Sequence, residues 1–182
     1  MSLFDHFNDK ELDILQARRV QRLNGDSESQ QDGLGETALT ITVRQEHYAM
    51  PVKMLTYVHV DVAVIPVPCV PPYIAGIANI RGHIVPVLDL SVLLNVPGSV
   101  EADVAMTLVV ATNKDVAVAF LVENIGDIEA YQVDDVQSVP STIVENEQTR
   151  AYLQGILPNG ATLLDVAAIL DDPALIVMEK VT

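Results

Sequence analysis

From Ala38 onward, apolar and polar residues alternate with a period of two. Leu39, Ile41 and Val43 alternate with Thr40, Thr42 and Arg44, the pattern of a strand with one buried face. Gln45, Glu46 and His47 read as a turn, after which the chain returns over 48–52. Short apolar runs then recur between turn signals, over 55–64, 74–80, 83–88, 104–111, 116–122, 128–131, 153–157 and 161–164. About ten short strands with almost no helical periodicity predict an all-β fold, built as barrels or a sandwich. The prolines at 51, 66, 68, 86 and 97 suit the edges, corners and turns of such sheets.

Before this region the pattern differs. Residues 8–23 are expected to be helical: Asn8 can cap, Glu11 follows three residues later, and Gly25 stands past the end. Their apolar stripe, Leu12, Ile14, Leu15, Val20 and Leu23, is ragged. Residues 24–37 are polar, acidic and glycine-rich, the composition of a flexible linker. The expected organisation is therefore a helix and linker over 1–37, a folded domain over 38–172 and a tail over 173–182. The first 37 residues are expected to be dispensable for folding.

The folded region contains a near-repeat. Gly76-Ile77, then Gly82, then Leu88-Asp89-Leu90 is echoed by Gly155-Ile156, then Gly160, then Leu164-Asp165-Val166. In each copy a glycine-bearing hairpin leads to an Asp placed to cap one or two helical turns. The expected outcome of such a duplication is two related small barrels sharing one apolar interface.

Composition narrows the function. Of 182 residues, 49% are hydrophobic but only 4% aromatic, so the core must be aliphatic. The formal net charge of −15 opposes binding to phosphate backbones or anionic lipid headgroups, so neither nucleic acid nor direct membrane insertion is expected. The uncharged run over 62–80 is long enough to span a bilayer, but Pro66, Pro68, Pro71 and Pro72 would break such a helix. The first ten residues carry Asp5 and Asp9 and lack an apolar core, unlike a signal peptide, so a cytoplasmic location is expected. Cys69 is the single cysteine, which rules out an intrachain disulfide.

No catalytic constellation emerges, and neither enzymatic activity nor a cofactor is expected. Asp89 and Asp165 are quasi-equivalent, as in an aspartic dyad, but each precedes an apolar helical turn and reads as a cap. The histidines at 6, 47, 59 and 83 lack the spacing of a zinc site. Cys69 has no basic neighbour to lower its pKa and is expected to be a small packed thiol. One residue stands out: Arg81 is the only Lys or Arg between Met54 and Asn113, at a hairpin tip in Asn79-Ile80-Arg81-Gly82. It is either a solvated turn residue or a fixed guanidinium that anchors a carboxylate.

The run over 66–90, which includes Ile74-Ala75-Gly76-Ile77-Ala78-Asn79-Ile80-Arg81-Gly82 and Ile84-Val85-Pro86-Val87-Leu88-Asp89-Leu90, resembles the signature of CheW-like domains. Tyr48-Ala49-Met50-Pro51-Val52 is similar to that family's second strand, and Gly155-Ile156 with Leu164-Asp165 to its closing elements. The resemblance implies two SH3-like five-stranded barrels around a shared hydrophobic core. It implies a non-enzymatic adaptor that couples chemoreceptor cytoplasmic tips to the regulatory domain of the CheA histidine kinase, recruited to receptor arrays at the inner face of the membrane. The same role in pilus-based motility or development is a close variant, and a small-ligand-binding barrel is the reading from another class. Carried over by position, Leu55 and Val58 are expected to line a receptor groove, with Gly76, Asn79, Arg81 and Gly82 on the docking motif. Pro86, Asp89, Gly155 and Asp165 are expected to act structurally, in turns and caps. Tyr57 stands where the family often has an acidic residue, so Arg81 is expected to lie over the Tyr57 ring in a cation–π contact.

Overall fold

The structure is a computed structural model, and the residues it describes are 35–60, 62–98, 106–113, 116–140 and 146–175. The expected N-terminal helix lies outside them. Among the described residues ten strands form: β1 (Glu36–Val43), β2 (Glu46–Pro51), β3 (Leu55–Val60), β4 (Ile74–Ile80), β5 (His83–Asp89), β6 (Thr107–Asn113), β7 (Val116–Val122), β8 (Asn124–Tyr131), β9 (Leu153–Ile156) and β10 (Thr162–Leu164). Three short helices join them: α1 (Leu90–Leu93), α2 (Glu147–Ala151) and α3 (Val166–Asp171).

The alternation in β1 is realised, with Leu39, Ile41 and Val43 buried and Thr40 and Thr42 half-buried. Strand β8 begins at Asn124, four residues before its expected start. It is an edge strand with a polar outer face, so its apolar signal is weak at the sequence level. Helix α2 went unforeseen because its five residues, EQTRA, carry no apolar stripe; the Asn146 side chain caps it by accepting from the Gln148 N–H at 2.9 Å. Both asparates read as caps serve as caps. The Asp89 carboxylate accepts from the Ser91 N–H at 2.9 Å, and that of Asp165 from the Ala168 N–H at 2.9 Å.

The strands form two five-stranded sheets, in the orders β8-β1-β2-β10-β9 and β3-β6-β7-β5-β4. The two orders are the same arrangement. In each sheet an antiparallel hairpin occupies the second and third places (β1–β2, β6–β7), and its second strand pairs in parallel with the strand before a capped helix (β10, β5). The chain therefore divides into two halves of like architecture, β1–β5 with α1 and β6–β10 with α3. Each half sends its first hairpin into the other half's sheet. The duplication visible around Gly76 and Gly155 thus extends across the whole domain.

Each sheet is also tied from edge to edge by one isolated bridge. Past β3, Ile65 exchanges two backbone hydrogen bonds with Ile77 on β4, at 2.8 and 2.9 Å. Past β8, Gln137 does the same with Ile156 on β9, at 2.9 and 2.8 Å. Both bridges fall beside the repeated glycines. A Cβ on Gly76 would lie 2.2 Å from the Ile65 carbonyl oxygen, and one on Gly155 would lie 2.7 Å from that of Gln137. Glycine is required there because backbone passes over backbone. Pro86, paired only with Ile77, stands one residue before β5 begins to pair with β7, where a missing N–H costs little.

Three apolar cores follow from this layout. The largest lies between the sheets and draws on both: Leu39 and Ile41 of β1, Leu55 and Val58 of β3, Val109 and Ala111 of β6, Phe120 of β7, and Leu90 and Ile169 of α1 and α3. Smaller cores fill each unit, around Val85, Val87 and Leu108 in one and Ala49, Leu157 and Leu163 in the other. The folded body reaches beyond the expected limits at both ends. Glu36 and Thr37 belong to β1, and Leu175 is buried in the shared core. The latter stretch is held by Tyr73, whose hydroxyl donates to the Ala174 carbonyl at 2.8 Å.

Candidate partner-docking site

The β4–β5 hairpin turns through Arg81 and Gly82, with φ of 53° and 88°. Two successive positive φ values make the turn whose twist suits a two-residue hairpin. Glycine accepts this backbone at no cost, while arginine gives up roughly 1–2 kcal/mol in it. Asn79 supports the turn, its side-chain oxygen accepting from the Gly82 N–H at 2.9 Å. The strained backbone presents Arg81 at the tip, with its guanidinium carbon 4.4 Å from the centre of the Tyr57 ring. The stack expected from the sequence is present. Stacking engages the face of the guanidinium rather than its N–H edge. His59 lies near Tyr57, its ring centroid 6.0 Å away and tilted by 47°.

Tyr57, Asn79, Arg81 and Gly82 therefore meet at one corner of the β3–β7 unit. The other three expected docking residues do not join them. Leu55 and Val58 are each 0% exposed, enclosed in the shared core, so neither offers a surface to a partner. The physical reason is the exchange of hairpins: it brings β1 and β3 onto the same inter-sheet core and closes the face that those side chains occupy. Gly76 is also buried, under the crossing backbone of Ile65. Cys69 departs from its expected place as well. It is exposed, at φ 60° in a turn of the proline-rich crossing, and is not packed.

Two large aliphatic side chains stand exposed beside β4. Ile84, paired with Asn79 across the hairpin, is 63% exposed, and Ile65 is 59% exposed. The signal for Ile84 was available. It is out of phase with the buried Val85 and Val87, and so had to stand on the outer face of β5. A cation steadied on an aromatic ring, on a hairpin that also exposes Ile84, is suited to protein recognition, in which an Arg anchor and apolar contact act together.

A second feature is built from residues of both halves. A pocket of about 480 Å³ opens between β2, the stretch after α1, α2 and β9, lined by Tyr48, Leu94, Val96, Leu153 and Ile156 among others. Its one carboxylate among the lining residues, Glu46, accepts from the Tyr48 hydroxyl at 2.7 Å. Burial and that carboxylate push the Tyr48 phenol well above its ordinary range. None of the expected docking residues lines it. Among the described residues no group of His, Cys, Asp and Glu side chains could hold a metal, and no helix is long and apolar enough to cross a membrane.

Comparison with known proteins supplies the context. Residues 37–174 match the model of the CheW-like domain. The chemotaxis protein CheW of Bacillus subtilis (strain 168) is 28% identical over 140 residues, covering 75% of this chain and 88% of that protein. The chemotaxis protein CheW of Rhizobium meliloti (strain 1021) is 30% identical over 92 residues, covering 50% of this chain and 57% of that one. The crystal structure of the scaffolding protein TtCheW from Thermoanaerobacter tengcongensis superposes with a TM-score of 0.62 at 18% identity, over 72% of this chain and 88% of that one, a likeness of fold.

Proposed function

Since the chain belongs to the CheW-like domain family, we propose that it is a chemotaxis coupling protein, an adaptor that joins chemoreceptors to the CheA histidine kinase and carries out no chemistry itself. Family membership supports the adaptor role, and the corner built from Tyr57, Asn79, Arg81 and Gly82 is the observation that carries the docking site. The partners in this reading are the cytoplasmic tips of the receptors and the regulatory domain of the kinase. The protein then works in the cytoplasm, gathered at receptor arrays. Domain organisation follows the same reading: a leading segment over 1–35, and a coupling domain that continues through Leu175.

Arg81 is the residue on which this reading turns. Reversing its charge places a carboxylate over the Tyr57 ring and against whatever acidic group the partner offers. Charge reversal at a docking contact costs more than truncation, so Arg81→Glu is expected to weaken complex formation by about tenfold or more. The measurement is co-sedimentation of the full chain with receptor cytoplasmic fragments and kinase, beside thermal unfolding to verify that the fold survives. Unchanged binding by a folded Arg81→Glu variant would move the docking site elsewhere.

A further inference from the structure

The two halves of this chain have exchanged hairpins, and that is the arrangement of a strand-exchanged dimer written into one polypeptide. Hairpin β1–β2 forms no ladder with any strand of its own half. Its partners are β8, through the register Glu36↔Tyr131 to Thr42↔Asn124, and β10, through Thr162↔Tyr48 and Leu163↔Ala49. Both lie more than 70 residues away along the chain. Only the single 3₁₀ turn Val52–Met54 connects the hairpin to β3. We infer that β1–β2 is an exchangeable element whose second acceptor is another copy of this chain. The hairpin of one copy completes the β8–β9–β10 sheet of the other, and the return exchange closes a twofold dimer.

Everything that holds the hairpin would re-form between copies. The ladder to β8 and the pairing to β10 are intrinsic to the sheet, whichever chain supplies the hairpin. At its start, Glu36 receives the Tyr131 hydroxyl at 2.9 Å. At its tip, Arg44 donates to the carbonyls of Val96, at 3.2 Å, and Gly98, while its backbone N–H donates to the Glu123 carboxylate at 3.0 Å. Exchange alters only the hinge, which is why swapped dimers come at low cost. Leu39, Ile41 and Met50 of the hairpin are fully enclosed in the shared core, so release requires that core to open. Partitioning is therefore decided while the chain folds. The more than 70 residues between the hairpin and β8 hold the two at an effective concentration below the roughly millimolar value of a short flexible linker, and a second copy competes as the protein approaches that concentration. This inference is independent of the coupling role.

The test uses the full chain carrying Cys69→Ser, with Thr37→Cys and Ala130→Cys at Cα partners of the β1–β8 ladder. Unfolded protein is refolded at about 10 µM and about 1 mM, bracketing that effective concentration, and then oxidised. Non-reducing electrophoresis separates disulfides within one chain from those joining two, and light scattering gives the mass. The expected result is an intrachain disulfide at the low concentration. At the high concentration a covalent dimer should rise several-fold and stay dimeric after dilution. The pair Thr42→Cys and Asn124→Cys, at the far end of the same ladder, should partition alike. Disulfides that stay within one chain at both concentrations overturn the inference, whether the sample is monomeric or associates through its surface. If neither pair oxidises, a dimer formed only at high concentration that survives dilution supports exchange, and its absence or its dissociation on dilution overturns it.

Discussion

Leu55 and Arg81 show how far single residues could be read. Arg81 was legible because it is the one cation in a long apolar or acidic stretch, and because Tyr57 replaces the acid that a pairing would use; the two side chains stack at 4.4 Å. Leu55 and Val58 were not. Their alternation states that one face of β3 is apolar, but whether that face meets a groove or a second sheet depends on where β1 goes, and no local pattern carries this. The structural outcome changes what a mutation there should do. Leu55→Asp would place an unpaired carboxylate in a water-free core, at a cost of several kcal/mol, comparable to the whole stability of a small domain. Its expected phenotype is loss of the cooperative unfolding transition, seen by circular dichroism during heating. A folded Leu55→Asp protein with impaired receptor binding would instead restore Leu55 to a groove. Tyr57→Glu, in contrast, exchanges a half-buried ring for a carboxylate within reach of Arg81 and is expected to fold normally.

At the scale of elements, the strands were legible where the chain is apolar and obscure where it is polar. β4 and β7 have the bounds that the sequence predicts, while β8 lost its first four residues to the polar face of an edge. The repeated glycines were visible as a motif, but not their purpose, since the segments that cross them come from 65 and 137, outside the repeat's own hairpins. Their role yields a paired prediction. Gly76→Ala meets the Ile65 carbonyl oxygen at 2.2 Å and imposes a side chain at φ 153°, so the bridge to Ile65 must open. Gly155→Ala meets Val136 Cγ1 at 2.3 Å and the Gln137 carbonyl oxygen at 2.7 Å, with no unusual φ. Overpacking of this kind costs about 1–3 kcal/mol, and Gly76 carries backbone strain in addition. Gly76→Ala should therefore be the more destabilising of the two. Amide exchange should speed up at Ile65 and Ile77 in that variant and at Gln137 and Ile156 in the other. Equal exchange at all four amides in both variants would mean that the bridges are incidental.

For the whole molecule, a net charge of −15 makes pH a control on stability with two opposing parts. Acidification first relieves the repulsion among carboxylates, which favours the folded state in low salt. It then removes particular contacts. Partial burial alone would raise the Glu36 carboxyl, but the Lys53 ammonium and the Tyr131 hydroxyl outweigh it and hold the group below its ordinary range. Asp172 is lowered as well, by the Tyr152 hydroxyl and the Ala174 N–H. A carboxylate with a depressed folded pKa binds fewer protons folded than unfolded. The stability it contributes is complete above its unfolded pKa, and is lost as pH falls through the folded one. The phenols act at the other end. Burial, then Asp172, pushes Tyr152 up to about 12, and burial with Glu36 raises Tyr131, so both keep their protons when folded. The unfolded chain begins to lose those protons near pH 10, and stability should fall from there upward. The melting temperature in low salt is thus expected to stay level or rise from neutral pH to about 5, and to fall below the carboxylate range. Glu36→Gln isolates one contribution. It should lower the melting temperature at pH 7, and the gap from the parent should close as pH falls through the carboxylate range, because the parent then loses the same charge. A gap that persists at pH 3 would mean that the Glu36 side chain holds β1 through its shape and neutral hydrogen bonds rather than through its charge.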